Sequence, residues 1–310
     1  MVIFTFVLRL KIFNERFLHS ILLLKRTAAL KAPIFCTNQP HYFYQQRLTN
    51  SSPAPYSIVH LRRNLKTMIQ TAISNYLSAT GHKTLNIKAV MFDMDGVIFN
   101  SMPLHAKAWV KAFAECGVKF SEYQVYMNEG RTGASTIDEE FQKAFGRHST
   151  PDEQREIYRI KSGFFRQMPA PELISNITDV VDYLAENNIA RTIVTGSGES
   201  STLDRVESLF GGKFSRELMV TALDVKLGKP HPEPYLMGLR KLSVAPNEAM
   251  VVENAPLGIQ AGVAAGVFTV AVNTGILAKT DLEAAGAHLV FDNMLQLLDA
   301  LPSLIGLPKK

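Results

Sequence analysis

The chain has 310 residues, 46% hydrophobic and 20% charged, enough for one large or two smaller domains with a substantial core. No run of about 18 uninterrupted apolar residues occurs, so no membrane span is expected. Its two cysteines, Cys36 and Cys116, exclude a disulfide framework or thiolate metal cluster and fit a reducing compartment.

The net charge of +5 is unevenly spread. Residues 1–88 hold 12 Lys/Arg and a single acid, Glu15, for a net of +11, whereas the other 222 residues hold 21 Lys/Arg and 27 Asp/Glu, for a net of −6. The body is mildly acidic, so no nucleic-acid surface is expected there. Residues 1–85 are rich in Arg, Lys, Ser, Thr and aromatics and nearly free of acid, the composition of a transit peptide. They are read as an N-terminal extension, cleaved or disordered, with "TNSSPAPYS" (Thr49–Ser57) as a flexible spacer. A start at Met68 is the competing reading. If the extension is made, the destination is a plastid or mitochondrion; otherwise it is the cytoplasm.

From Asn86 the pattern changes. "IKAVMFD" is a short apolar run bounded by a turn and reads as a buried strand. About 70 residues of helical pattern follow. "PLHAKAWVKAFAECG" carries Pro103 at its start and a glycine stop, "STIDEEFQKAFG" opens on a Ser/Thr cap, and "TPDEQREIYRIKSGFF" has Thr150 as cap and Pro151 at the first helical position. Beyond Pro169, helices over 173–187, 200–209, 232–241 and 258–265 alternate with strands "ARTIVTG", "ELMVTA", "AMVVE", "VFTVAV" and "AHLVF". This alternation predicts an α/β fold, a doubly wound parallel sheet over 86–102 and 172–305, with an α-helical cap domain, residues 103–171, inserted after the first strand. The two chain crossings, near 101–104 and 168–173, hold Pro103, Pro169 and Pro171 and are the expected hinges.

In such sheets ligands bind beyond the carboxyl ends of the strands. The first strand ends in Asp93-Met94-Asp95, the second in Thr195-Gly196-Ser197, a loop after the third carries Lys229, and the fourth ends in Glu253-Asn254. Amides beside Gly196 and Gly198 suit an anion, and Lys229 adds a positive charge. Asp93, Asp95, Glu253 and Asn254 are oxygen donors of the kind that suits Mg2+. A hard cation beside an anion pocket and a carboxylate points to phosphoryl transfer. Each group also has a plainer reading. The aspartates could be a turn-and-cap pair, Thr195 and Ser197 helix caps, Lys229 a solvated loop cation, and Glu253-Asn254 an N-cap.

"DMDGV", "VTGS", "GKPHPEPY" and "VVENAPLGIQAGVAAG" together resemble the four motifs of the haloacid dehalogenase superfamily, in order, over residues 88–301. The subgroup it resembles carries a helical cap after the first strand, as in β-phosphoglucomutase. The resemblance implies Asp93 as nucleophile forming an aspartyl-phosphate and Asp95 as general acid and base. It implies Mg2+ held by Asp93, the Asp95 backbone carbonyl and Asn254, with Glu253 as a further donor. Thr195, Gly196 and Ser197 would grip the phosphate, and Lys229 would neutralise charge. Asn254 departs from the pattern, in which most relatives have aspartate; its carbonyl can still ligate Mg2+, with one negative charge fewer.

The cap stretch "YMNEGRTGAST" (126–136) resembles that of a bacterial inorganic pyrophosphatase of this subgroup. That likeness implies Glu129 closing over the metal and substrate, and Arg131, Thr132 and Ser135 as candidates for a distal phosphate. A Glu/Arg pair beside glycine is equally a polar turn. His105 matches a histidine of β-phosphoglucomutase, whereas Thr136 stands where that mutase has a phosphate-binding arginine; His105 could instead pack or hydrogen-bond. The expected activity is Mg2+-dependent hydrolysis of pyrophosphate or a small phosphomonoester. The alternatives are a sugar-phosphate mutase and a non-catalytic sensor of a phosphorylated ligand. The partner is a small phosphorylated compound, and the chain is expected to be a monomer. His82, His148, His231 and His288 are read as structural.

Overall fold

The computed structural model describes residues 55–197 and 200–306. The expectations placed on Cys36, on Gly198 and on residues 1–54 lie outside the described residues.

Five short parallel strands form one sheet in the order β2-β1-β3-β4-β5: β1 Ala89–Phe92, β2 Ala190–Ile193, β3 Ala249–Glu253, β4 Phe268–Val272 and β5 Leu289–Phe291. A parallel sheet is covered on both faces, so its strands read as continuous apolar runs, and all four residues of β1 are buried. Side chains alternate across the pleat. Val90 and Phe92 join Met250, Val252, Phe268 and Val270 on one face. Met91 joins Val251 and Ala249 on the other, against Tyr235 and Leu239. The expected strand "ELMVTA" does not form a strand. Residues Arg216–Leu218 make a single 3-10 turn, and only Val220 bridges Val194 beside β2.

The helices are α1 Pro55–Thr80, α2 Met102–Glu115, α3 Glu122–Met127, α4 Gly133–Phe145, α5 Pro151–Arg166, α6 Ile177–Glu186, α7 Ser200–Leu209, α8 Glu233–Leu242, α9 Pro256–Ala264, α10 Lys279–Ala284 and α11 Met294–Leu304. The short α3 and α10 are absent from the sequence expectation. Helices α2 to α5 lie between β1 and α6 in the chain and share an apolar cluster built on Trp109, Phe113, Ile137 and Phe141, which also takes in Ile259 and Leu282 of α9 and α10. Thr150 and Glu153 close a capping box at the start of α5, with Pro151 in the first turn. The cap of α4 is Thr132, three residues ahead of the expected Ser135-Thr136, because the Thr132 hydroxyl accepts from the Ser135 amide at 3.2 Å.

Helix α1 falls inside the stretch expected to be an extension. Ile69, Ala72 and Tyr76 are nonetheless buried with β4 and α11, and the Tyr76 hydroxyl donates to the Gly266 carbonyl at 2.9 Å. The folded body therefore starts upstream of residue 86.

Candidate active site

Register brings the site together. Phe92 of β1 is level with Ile193 of β2 and Val252 of β3. Because the strands are parallel, the next residues, Asp93, Val194-Thr195 and Glu253-Asn254, emerge side by side at the carboxyl edge.

Lys229 is the centre of this edge. Only 3% exposed, its Nζ donates to Asp93 Oδ1 at 2.5 Å, Glu253 Oε1 at 2.6 Å and the Val194 carbonyl at 3.1 Å. A buried ammonium persists only when paired and hydrogen-bonded. Burial disfavours its charge, but Asp93 and Glu253 outweigh that and hold its pKa well above the ordinary value. Burial raises the Asp93 carboxyl to about 7; Lys229 pulls it down, while Glu253 and Asp95 push it up.

Glu253 serves this lysine. Its Oε1 also accepts from the Tyr235 hydroxyl at 2.6 Å, and its Oε2 accepts from the Asn254 amide at 3.1 Å. Oε1 takes two protein donors and Oε2 one, so Glu253 supports Lys229 and Asn254, and acceptor capacity for the expected further metal donor is left mainly on Oε2. Gly258 makes room for it: a Cβ there would lie 1.8 Å from Glu253 Oε1.

Asp95 belongs to a second group. Ser101 Oγ donates to Asp95 Oδ1 at 2.5 Å, His105 Nε2 lies 3.3 Å from the same oxygen, and His105 Nδ1 is 2.9 Å from Lys161 Nζ. Burial would raise the Asp95 carboxyl, but His105, Ser101 and Lys161 together hold it down at about 2. Phe165 stacks on His105 at 4.2 Å, and the Lys161 ammonium sits 5.1–5.6 Å from the ring centres of Phe165, Trp109 and Tyr158. Sequence reasoning missed Ser101, Lys161 and Tyr235. Lys161 and Tyr235 were hidden inside helical patterns, where a cap lysine or a tyrosine has no distinguishing signal.

The cap reaches the core at Glu129. Asn254 Nδ2 donates to Glu129 Oε2 at 2.9 Å, and burial, then Asp93, Glu253 and Asp95, raise the Glu129 carboxyl well above its ordinary value. Among the described residues, the buried side-chain oxygens without a hydrogen-bond partner are Asn254 Oδ1 and Glu129 Oε1. Buried polar atoms are nearly always satisfied. Two orphaned acceptors beside Asp93 and Asp95 form a hard, oxygen-rich donor set that fits a divalent cation.

Above this edge lies a cavity of about 380 Å3, lined by Asp93, Asp95, Thr195, Gly196, Ser197, His105, Glu129 and Arg131 and walled by Trp109, Phe120, Tyr158 and Phe165. Thr195 is buried, and its hydroxyl accepts from the Ser197 amide at 3.0 Å. Arg131 lines the cavity while pairing with Glu139 at 2.8 Å. Thr132 and Ser135 do not line it. They are held in the start of α4, Ser135 also accepting from Arg131 Nη1 at 3.4 Å, and Thr132 faces a separate space of about 50 Å3 behind Thr195 and Lys229. Thr136 does line the main cavity.

An acid pair, a buried lysine and a hydroxyl-and-amide turn at the carboxyl edge of a parallel sheet define a phosphoryl-transfer hydrolase. The chain belongs to the haloacid dehalogenase-like hydrolase family, whose sequence pattern matches residues 90–272. It is an enzyme of the phosphatase and phosphomutase type within that family. A solved structure named "Putative beta-phosphoglucomutase from Bacteroides vulgatus" is 45% identical, covers 79% of this chain and all of its own, and superposes with a TM-score of 0.75. Validoxylamine A 7'-phosphate phosphatase of Streptomyces hygroscopicus subsp. limoneus is 28% identical, over 60% of this chain and 86% of its own length. Hexitol phosphatase A of Escherichia coli is 29% identical over 61% and 84%.

Proposed function

We propose that the protein is a Mg2+-dependent phosphohydrolase acting through an aspartyl-phosphate on Asp93, with pyrophosphate or a small phosphomonoester as substrate. The observation that carries this reading is the Asp93–Lys229–Glu253 chain set beside the two orphaned oxygens of Asn254 and Glu129. Asp93, the Asp95 backbone carbonyl and Asn254 would hold the cation, with Glu129 over it. The cation would screen the repulsion between the attacking carboxylate and the phosphate.

Asp93 attacks phosphorus, and an O–P bond forms as the bond to the leaving oxygen breaks. Asp95, which His105, Ser101 and Lys161 keep ionised before substrate binds, would take up a proton together with the phosphorylated substrate and give it to that oxygen. Water then attacks the same phosphorus, Asp95 takes the water's proton, and the Asp93–phosphorus bond breaks to release inorganic phosphate. Lys229 balances the charge gathering on the nucleophile and the phosphoryl oxygens. The Thr195 hydroxyl and the Gly196 amide would grip the phosphoryl group, joined by the Ser197 amide once it leaves the Thr195 hydroxyl.

The reach of Glu129 to Asn254 favours pyrophosphate, since it limits the room these residues would leave for an organic leaving group. The aromatic walls of the cavity, and relatives named for sugar-type phosphates, favour an organic monoester. The contact of His105 with Asp95 favours a third reading, a sugar-phosphate mutase. Phosphate release from pyrophosphate, hexitol phosphates and p-nitrophenyl phosphate, with Mg2+ and with chelator, separates these. Metal-dependent release from at least one compound supports the hydrolase. Conversion of β-glucose 1-phosphate to glucose 6-phosphate without net phosphate release would replace it with the mutase.

A further inference from the structure

The loop after β4, Asn273 to Leu277, lies outside the four motifs and touches both halves of the site. On one side the Thr274 hydroxyl donates to the Gly96 carbonyl at 2.6 Å, holding the turn that directly follows Asp95. On the other side the Tyr126 ring packs against Gly275. A Cβ at Gly275 would lie 2.5 Å from Tyr126 Cε1 and 2.9 Å from Cδ1, closer than real side chains approach. Tyr126 is only 3% exposed, so its ring has little room to give. Leu277 anchors the far end of the loop in the same apolar cluster as Tyr126.

Tyr126 leads directly to Glu129. The Glu129 amide donates to the Tyr126 carbonyl at 3.3 Å, and the Glu129 carboxylate accepts from Asn254 at 2.9 Å. One helical turn before Tyr126, the Tyr123 hydroxyl donates to Asp281 Oδ2 at 3.0 Å, tying α3 to α10 just beyond the loop.

We infer that the Asn273–Leu277 loop is a positioning element that seats Tyr126 of the cap against the Asp95–Gly96 turn and thereby places Glu129 over the reacting phosphate. Gly275 and Thr274 are positioning residues, acting through Tyr126 and Gly96. The inference rests on the proposed phosphohydrolase only in giving Glu129 a role in turnover; the seat itself is a matter of packing.

The test uses the full chain and two readouts. Hydrogen exchange followed by mass spectrometry reports the seat without reference to activity: Gly275→Ala should speed exchange across residues 126–131 and leave α5 as protected as before. Phosphate release from pyrophosphate and p-nitrophenyl phosphate reports the consequence, with kcat in Gly275→Ala falling about 10- to 100-fold, the range for small displacements of a reacting group. In a Glu129→Gln background the same substitution should change kcat less than about 2-fold, because a residue acting through Glu129 has nothing left to displace. Thr274→Val, which adds no bulk at Tyr126, should also speed exchange across 126–131 and serves if Gly275→Ala does not fold. Unchanged exchange over 126–131 in the folded variant, or a full multiplicative loss in the Glu129→Gln background, would overturn the inference. If the wild-type protein releases phosphate from none of pyrophosphate, hexitol phosphates and p-nitrophenyl phosphate, the hydrolase reading fails while the exchange result still decides the seat.

Discussion

Lys229 shows how a site can be legible as a set of residues and illegible in its wiring. The motifs gave Asp93, Lys229 and Glu253 as neighbours at one sheet edge, and they are joined there by one ammonium. The spacing gave no sign that Glu253 would spend both oxygens on Lys229, Tyr235 and Asn254, since that depends on side-chain directions that sequence separation does not encode. Lys229→Met should reduce turnover at least about 100-fold and also unfold the chain earlier in urea, because it leaves Asp93 and Glu253 buried and unpaired; stability and kinetics measured on the same variant check both. Gly96 gives a sharper structural expectation. Its φ is +76°, and a Cβ would lie 2.1 Å from Asn254 Nδ2. Gly96→Ala combines a left-handed backbone with a side-chain collision and should cost about 1–3 kcal/mol, read from urea unfolding.

Helix α5 carries Lys161 to the site, so what fixes its first turn matters. Arg147 donates to both oxygens of Glu153, at 2.6 and 3.0 Å, and the Thr150 amide donates to Glu153 Oε2 at 2.8 Å. The Arg147 hydrogen bonds lower the Glu153 carboxyl, burial opposes them, and the Thr150 donors add to them, leaving it at about 2. A carboxyl depressed in the folded state stabilises above its unfolded value and loses that contribution as pH falls from about 4.5 toward 2. Glu153 is a third exposed, so the contribution is only about 0.5–1 kcal/mol. Glu153→Gln should lower thermal stability at pH 7 and flatten the pH dependence between 5 and 2. Equal losses at every pH would contradict this assignment. The start of α5 was readable because Thr150, Pro151 and Glu153 signal it locally. The short α3 and α10 were not, because six-residue helices carry too little periodicity and owe their form to tertiary packing. "ELMVTA" has strand composition, yet at the edge beside β2 it makes one bridge, since edge pairing is decided by neighbours and not by propensity.

Across the molecule, the basic front of the chain was read from composition as an extension, and that signal does not distinguish a leader from an amphipathic helix that docks. Helix α1 docks through Tyr76, whose ring meets Phe268 edge-on at 5.4 Å and His288 at 5.2 Å. Tyr76→Ala should destabilise the protein by about 3–5 kcal/mol, as for other buried aromatics, and lower its urea midpoint with the active site unchanged. Sheet, helical cap and catalytic edge together serve a single chemical claim, that Asp93 becomes covalently phosphorylated. The most direct measurement is a single-turnover incubation with radiolabelled substrate and Mg2+, quenched in acid and digested. Label should appear on the peptide that carries Asp93, be lost when water has had time to attack, and be absent in Asp93→Asn. Rapid phosphate release with no label on that peptide, or label persisting in Asp93→Asn, would contradict it.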